Sequence, residues 1–63
     1  MEMQEGPVQD YFEMNDGDVR IWIEQGSSIH MKVVTKENDP VELSGYEALR
    51  VADILRGFSG RIK

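Results

Sequence analysis

The chain of 63 residues contains no cysteine and only one histidine, His30. The lack of cysteine excludes disulfides and thiolate metal sites, and it fits a reducing compartment. No apolar run approaches the roughly 20 residues that a membrane-spanning helix needs. Residues Met1–Glu5 are acidic and lack the basic and then apolar plan of a secretion signal. These absences predict a small cytoplasmic protein that does not contact a membrane.

Basic residues are scarce, because 12 acidic residues stand against 7 basic ones and give a net charge of −5. A chain of this charge repels a nucleic-acid backbone at long range, so we expect no nucleic-acid partner. The charge is also uneven: the first 18 residues hold no base, whereas residues 50–63 hold four bases and one acid. Either both ends are solvated surfaces, or they attract each other within one chain or between two copies.

The dipeptide Asp16-Gly17 predicts a β-hairpin between two alternating segments. With Asn15 opposite Asp18, one face of this hairpin is apolar, and the other carries a salt pair and an aromatic pair. The predicted cross-strand pairs are Met14 with Val19, Phe12 with Ile21, Glu13 with Arg20, and Tyr11 with Trp22. This agreement between turn chemistry and face pattern is what a hairpin requires.

A third strand is predicted at residues 29–35. The turn before it and the alternation of its side chains favour different registers. A two-residue turn at Gly26-Ser27 would place Ile23 opposite His30 and mix the two faces. A three-residue loop at residues 26–28, or a bulge, keeps the apolar faces together, and we favour this solution. It predicts that Trp22 pairs with Lys32 and that Glu24 pairs with His30.

The sequence Ser44-Gly45-Tyr46-Glu47 predicts a capping box at the start of a C-terminal helix. We expect this helix to run from about Gly45 to Arg56 and to end at Gly57 as its C-cap, with Phe58 folding back. An apolar stripe then covers the sheet. The predicted fold is α+β: a three-stranded antiparallel β-meander with one C-terminal α-helix packed on one face (βββα). Residues 1–7 are expected to form a flexible acidic arm, and residues 8–63 a single small domain.

No pattern in the chain predicts a catalytic, cofactor or metal site. His30 has only the solvent-open Glu24 as a candidate partner, whereas acid–base catalysis needs a desolvated cleft. The segment Asn15–Asp18 superficially looks like a calcium loop, but Ile23 stands where that loop requires glutamate. We therefore predict a protein that is not an enzyme.

Apolar residues outside the predicted core indicate an interface. Tyr11, Trp22 and Val34 would share the open face of the sheet with Lys32, while Leu49 and Ile54 would flank the helix stripe. These residues form the candidate interface of Tyr11, Trp22, Lys32, Val34, Leu49 and Ile54. More apolar surface than one helix can hide predicts a homodimer, with the sheet face or sheet edge as the first choice of contact.

The segments Gly26-Ser27-Ser28-Ile29 and Asp39-Pro40-Val41-Glu42-Leu43-Ser44, together with the capped helix, resemble small uncharacterised bacterial proteins of two or three strands and one helix. The likeness covers about residues 19–56, and it implies the fold but no activity. The function that we expect is a non-enzymatic binding or regulatory module that acts through protein–protein contact. Two alternatives stay open: an acidic nucleic-acid mimic that blocks a basic site, and a small accessory subunit of an enzyme.

Overall fold

One antiparallel sheet of three strands, which pair in chain order, is followed by one helix. The computed structural model describes residues 10–62. The elements are β1 (Tyr11–Met14), β2 (Val19–Glu24), β3 (Ser28–Val33) and α1 (Gly45–Ser59). The predicted βββα fold is therefore confirmed. The arm expected at residues 1–7 lies outside the described residues, as do Val8 and Gln9 of the domain expected at residues 8–63.

The first hairpin has the predicted register in all four pairs, from Tyr11 opposite Trp22 to Met14 opposite Val19. Its turn contains three successive residues with positive φ: Asn15 at 56°, Asp16 at 57° and Gly17 at 87°. Glycine adopts this left-handed conformation without steric cost, and asparagine and aspartate tolerate it better than other residues. The sequence Asn-Asp-Gly is therefore suited to this turn.

The second hairpin differs from the prediction by two residues. Gln25 and Gly26 take the positive φ values, 55° and 69°, and the Ser27 N–H donates to the Glu24 carbonyl at 3.1 Å. The loop is thus residues 25–27, and Trp22 lies opposite His30 rather than Lys32. The predicted pairings of Trp22 with Lys32 and of Glu24 with His30 are wrong. The predicted faces survive, because a shift of two residues leaves every side chain on the same side of a strand.

The helix begins as predicted and ends later. The Glu47 N–H donates to Ser44 Oγ at 3.1 Å, and the Ser44 N–H donates to Glu47 Oε1 at 2.8 Å, which confirms the capping box. The helix then continues through Gly57 and is capped at Gly60, so the predicted end at Gly57 is wrong. Continuation places Phe58 in the core at 1% exposure. Burying this aromatic ring is worth more than the roughly 1 kcal/mol that a glycine costs inside a helix.

The core lies between α1 and the inner face of the sheet, which is the face toward the helix. Its buried side chains are Phe12, Val19, Ile21, Ile23, Val51 and Phe58. Two inner-face residues of β3, Met31 and Val33, stay 47% and 38% exposed, although the helix was expected to cover them. The inner face of β3 is therefore only partly covered, although the helix backbone approaches this strand.

The residues after the helix tie its end to the first strand. Arg61 forms an ion pair with Asp10, whose carbonyl accepts from the Ile23 N–H at 3.0 Å and so extends the β1–β2 ladder. The Arg61 guanidinium also lies 5.6 Å from the centre of the Phe58 ring. The charge of Asp10 at the start of this edge is therefore compensated by a cation.

Replacing Phe58 with alanine tests the core. Because the side chain is almost fully buried, Phe58→Ala should lower the free energy of unfolding by about 3–5 kcal/mol. The matched control is Leu49→Ala, since Leu49 is 67% exposed on the same helix and its loss should change stability by less than about 0.5 kcal/mol. Urea unfolding followed by far-ultraviolet circular dichroism measures both. Equal effects of the two variants would contradict this packing.

Replacing Gly57 with alanine tests where the helix ends, and the same change at Gly26 in the second hairpin provides a comparison. A methyl group added at Gly57 meets no atom within 4 Å, so Gly57→Ala should stabilise the protein by about 0.5–1 kcal/mol through better helix propensity. Gly26 is equally open, but its φ of 69° is left-handed, and Gly26→Ala should destabilise by about 1 kcal/mol. Thermal unfolding compares the two. A loss of stability in Gly57→Ala would indicate that the helix stops at this residue.

Candidate functional site

The face of the sheet turned away from the helix is the candidate site, and we call it the open face. Strand alternation places on it the side chains of Tyr11, Glu13, Arg20, Trp22, Glu24, Ser28, His30 and Lys32. A shallow, open depression of about 660 Å³ lies over β1 and β2 and reaches β3 at Lys32. Its lining includes Tyr11, Trp22, Arg20 and Lys32. The open face is therefore a broad surface and not an enclosed cleft.

Three rings form a row across the strands of the open face. Tyr11 lies opposite Trp22 as predicted, and Trp22 lies opposite His30. The Trp22 and His30 ring centres are 5.6 Å apart with an interplanar angle of 37°, which is within the range of favourable aromatic contacts. Sequence reasoning missed His30 in this row because it paired Trp22 with Lys32. We call these three residues the aromatic row.

Two carboxylates hold the rings of this row in place. Tyr11 Oη donates to Glu13 Oε1 at 2.6 Å, and Trp22 Nε1 donates to Glu24 Oε1 at 2.8 Å. Both bonds join residues two apart on one strand, whose side chains point to the same face. The polar end of each large ring is thus satisfied, and its apolar part remains on the surface. An ordered apolar surface loses less conformational entropy when a partner binds.

The hydrogen bond to Glu13 raises the pKa of Tyr11 above its ordinary value of 10.0. Partial desolvation and the negative charge of Glu13 act in the same direction, while the charge of Arg20 opposes them. The phenol donates only in its protonated form, and ionising it beside a carboxylate would place two negative charges together. Tyr11 is therefore a hydrogen-bond donor at neutral pH.

Two cations lie next to the aromatic row. Arg20 lies opposite Lys32, although like charges in such positions repel each other. The salt pair expected between Glu13 and Arg20 is not formed, because Arg20 Nε donates to the Gly17 carbonyl at 2.9 Å while Glu13 binds Tyr11. Within residues 10–62, no carboxylate lies within the 4.0 Å of an ion pair from either cation. We call Arg20 and Lys32 the cation pair.

The remaining predicted interface residues do not join one surface. Val34 follows the end of β3, where its N–H donates to the Asp18 carbonyl at 3.0 Å, and it is half-buried. Leu49 is 67% exposed on the helix, on the other side of the molecule. Ile54 is partly buried against the core, so it presents only part of its side chain to solvent. The structure therefore brings together Tyr11, Trp22 and Lys32, with Val34 just past the end of the strand.

The chemistry that His30 could perform is limited by its surroundings. Its Nε2 lies 3.1 Å from Ser28 Oγ, and both residues are exposed. Glu24, the carboxylate considered as its partner, is bonded to Trp22. In the described part of the chain, no three histidine, aspartate or glutamate side chains converge as metal ligands would. In the same residues, α1 lacks the length and the apolar composition that a membrane-spanning helix needs.

The Tyr11–Glu13 bond can be tested by titration. In a Tyr46→Phe background, where Tyr11 is the remaining tyrosine, adding Glu13→Ala should lower the tyrosine pKa toward about 10. The bond should stabilise the fold below pH 10 and lose this effect as the pH rises from there through the folded pKa, because the unfolded tyrosine ionises first. Tyrosinate absorbance and unfolding across the alkaline range measure both. An unchanged midpoint would contradict the assignment.

The functional assignment has to rest on this geometry. No protein-family model matches the chain, and no curated protein or solved structure is significantly similar to it. The resemblance to small bacterial strand-and-helix proteins therefore stays a prediction. The aromatic row and the cation pair are the features of the described residues from which a function is inferred.

Proposed function

We propose that this chain is a small, non-enzymatic binding module that holds a protein partner on its open face. The observation that carries the proposal is the cation pair beside the ordered rings of Tyr11 and Trp22. Tyrosine, tryptophan and arginine are the residues that most often dominate binding energy in protein interfaces. Here all three residue types line one shallow depression. The cytoplasmic location expected from the sequence is part of this proposal.

The chemistry of the open face defines the kind of segment that it would bind. An apolar side chain would pack on Trp22, and one carboxylate beside it would lie between Arg20 and Lys32. That carboxylate would relieve the repulsion between the two cations, which the chain's own carboxylates do not do in the described residues. A strongly acidic partner would be repelled by the net charge of −5. We therefore propose a mostly apolar or basic segment that contains a single acidic residue.

The alternative of an acidic nucleic-acid mimic needs carboxylates in a regular row. Residues 10–62 contain ten acidic residues, since Glu2 and Glu5 lie outside them. Six of these ten are engaged by other residues of the chain: Asp10, Glu13, Asp18, Glu24, Glu47 and Asp53. They also lie on the sheet, on the helix and in a turn, which argues against mimicry. An enzyme accessory subunit is a narrower form of the binding proposal, in which the partner is an enzyme.

The test compares partner capture by point variants of the purified protein. Trp22→Ala should weaken binding of the captured partner by at least about tenfold, which is the loss typical of a central interface residue. Lys32→Glu should weaken it as well, because it removes one member of the cation pair. Leu49→Ala is the control and should bind as the unaltered protein does, since Leu49 lies on the helix. Circular dichroism establishes that each variant is folded.

Three results would contradict the proposal. Equal binding by Trp22→Ala and Leu49→Ala would exclude the open face as the contact. A basic partner whose binding falls steeply between low and moderate salt would favour the acidic mimic, because screening weakens exposed charge pairs. Specific turnover that disappears in His30→Ala would show that the protein is an enzyme.

A further inference from the structure

Among the described residues, the third strand lies at the edge of the sheet, and one set of its backbone groups has no neighbouring strand. The Val34 N–H donates to the Asp18 carbonyl, so the alternation of an antiparallel ladder directs the groups of His30 and Lys32 toward β2. The N–H and C=O groups of Ile29, Met31 and Val33 consequently point away from the sheet. Within residues 10–62, none of them makes a backbone hydrogen bond in a turn, loop or cap.

The two edges of the sheet are protected to different degrees. The edge at β1 is four residues long, contains Glu13, and begins beside the ion pair of Asp10 with Arg61. Short length and charge are the usual protections of an edge against pairing with another strand. The edge at β3 is six residues long and contains no proline and no acidic residue. Its inward-facing side chains are all apolar, and its one lysine, Lys32, lies on the open face, so no inward charge opposes pairing.

The same strand presents apolar surface that the helix leaves open. Met31 and Val33 face the inner side of the sheet, yet they are 47% and 38% exposed. Ile29 beside them is half-buried. A strand added at this edge would satisfy the outward backbone groups and would place its own inner-face side chains against Met31 and Val33. One added strand would thus pair the outward backbone groups and also cover the exposed apolar side chains.

We propose that a second copy of this chain supplies that strand, through antiparallel pairing of the two β3 strands about a twofold axis at Met31. In this register Met31 lies opposite Met31 of the partner subunit, and Ile29 lies opposite Val33 of the partner subunit. These are the residues whose backbone groups point outward, so every pair can exchange both of its hydrogen bonds. The product is a six-stranded sheet with a helix on each half.

The charge pattern selects a second copy as the occupant. β3 is the one strand of the sheet without a carboxylate, so it is where two chains of net charge −5 can approach with the least local repulsion. On the inner side, apolar residues meet apolar residues. On the open face, His30 meets Lys32 of the partner subunit, so each aromatic row continues into the cation pair of the other copy. A twofold contact of this kind is self-complementary.

A single inward charge tests the contact. Light scattering across a concentration series should give a dimer mass for the unaltered protein and a monomer mass for Met31→Lys at the same high micromolar concentration. An inward lysine on an edge strand blocks strand pairing, and the exposure of Met31 leaves room for it in the monomer. Leu49→Lys makes the same kind of change on the helix and should remain a dimer. Trp22→Ala should also remain a dimer, which separates this contact from partner binding on the open face.

Amide hydrogen exchange identifies the paired strand directly. The amides of Ile29, Met31 and Val33 should exchange fast in dilute protein and become protected as the dimer forms, while His30 and Lys32 are protected in both states. A monomer mass at every concentration would overturn the proposal. A dimer that Leu49→Lys dissociates and Met31→Lys does not would overturn it as well. Protection of Met31 in the monomer would contradict it too, because the edge would then be covered by the chain itself.

Discussion

The alternation of side chains along β2 is the constraint on which the rest of the structure depends. Val19 and Ile21 have no solvent exposure and Ile23 has 9%, so their side of the strand must face the helix. Trp22 is consequently on the other side, between the two neighbouring strands. Because β2 pairs with both β1 and β3, this one pattern decides which residues of either strand enter the core. The core and the open face are thus two consequences of the same six residues.

Coverage of the sheet by a single helix explains several features that otherwise look unrelated. The helix extends past Gly57 because Phe58 fills the space over the sheet. Arg50 lies 5.5 Å from the ring of Phe12, which places this flank of the helix over β1. Met31 and Val33 nevertheless remain exposed, so the helix covers the inner face of β3 only in part. A small domain buries a modest fraction of its surface, and here the remaining apolar surface is concentrated at one edge.

The open face differs from the edge in what it offers a partner. Its Tyr11 and Trp22 rings are held by Glu13 and Glu24, and its cations lie opposite each other with no ion-pair partner among residues 10–62. Side chains recognise a partner there, and specificity would come from an apolar group beside a charge. At the edge of β3, by contrast, the main chain provides the contact, and specificity would come from register. A dimer contact at the edge of β3 would therefore leave the open face free to bind a partner.

The sequence by itself determined the first hairpin, the capping box, the fold class and the face of every strand residue. These features depend on turn chemistry, on a cap that joins residues three apart, and on alternation, all of which act over short distances. The register of the second hairpin was not determined, because a shift of two residues keeps the same faces and hides no additional apolar group. The side-chain partners of Glu13 and Arg20 were not determined either. Both side chains are exposed, and each bonds a different nearby group: Glu13 accepts from Tyr11, and Arg20 donates to the Gly17 carbonyl.

Only the tertiary structure decided where the helix ends, that Ile54 packs against the core, and that Met31 and Val33 remain exposed. A glycine at a helix end and a glycine inside a helix are locally alike. The helix continues through Gly57 because the ring of Phe58 fills the space between the helix and the sheet. Exposure at β3 likewise depends on where the helix crosses the sheet, which is a property of the packed layers and of no single segment.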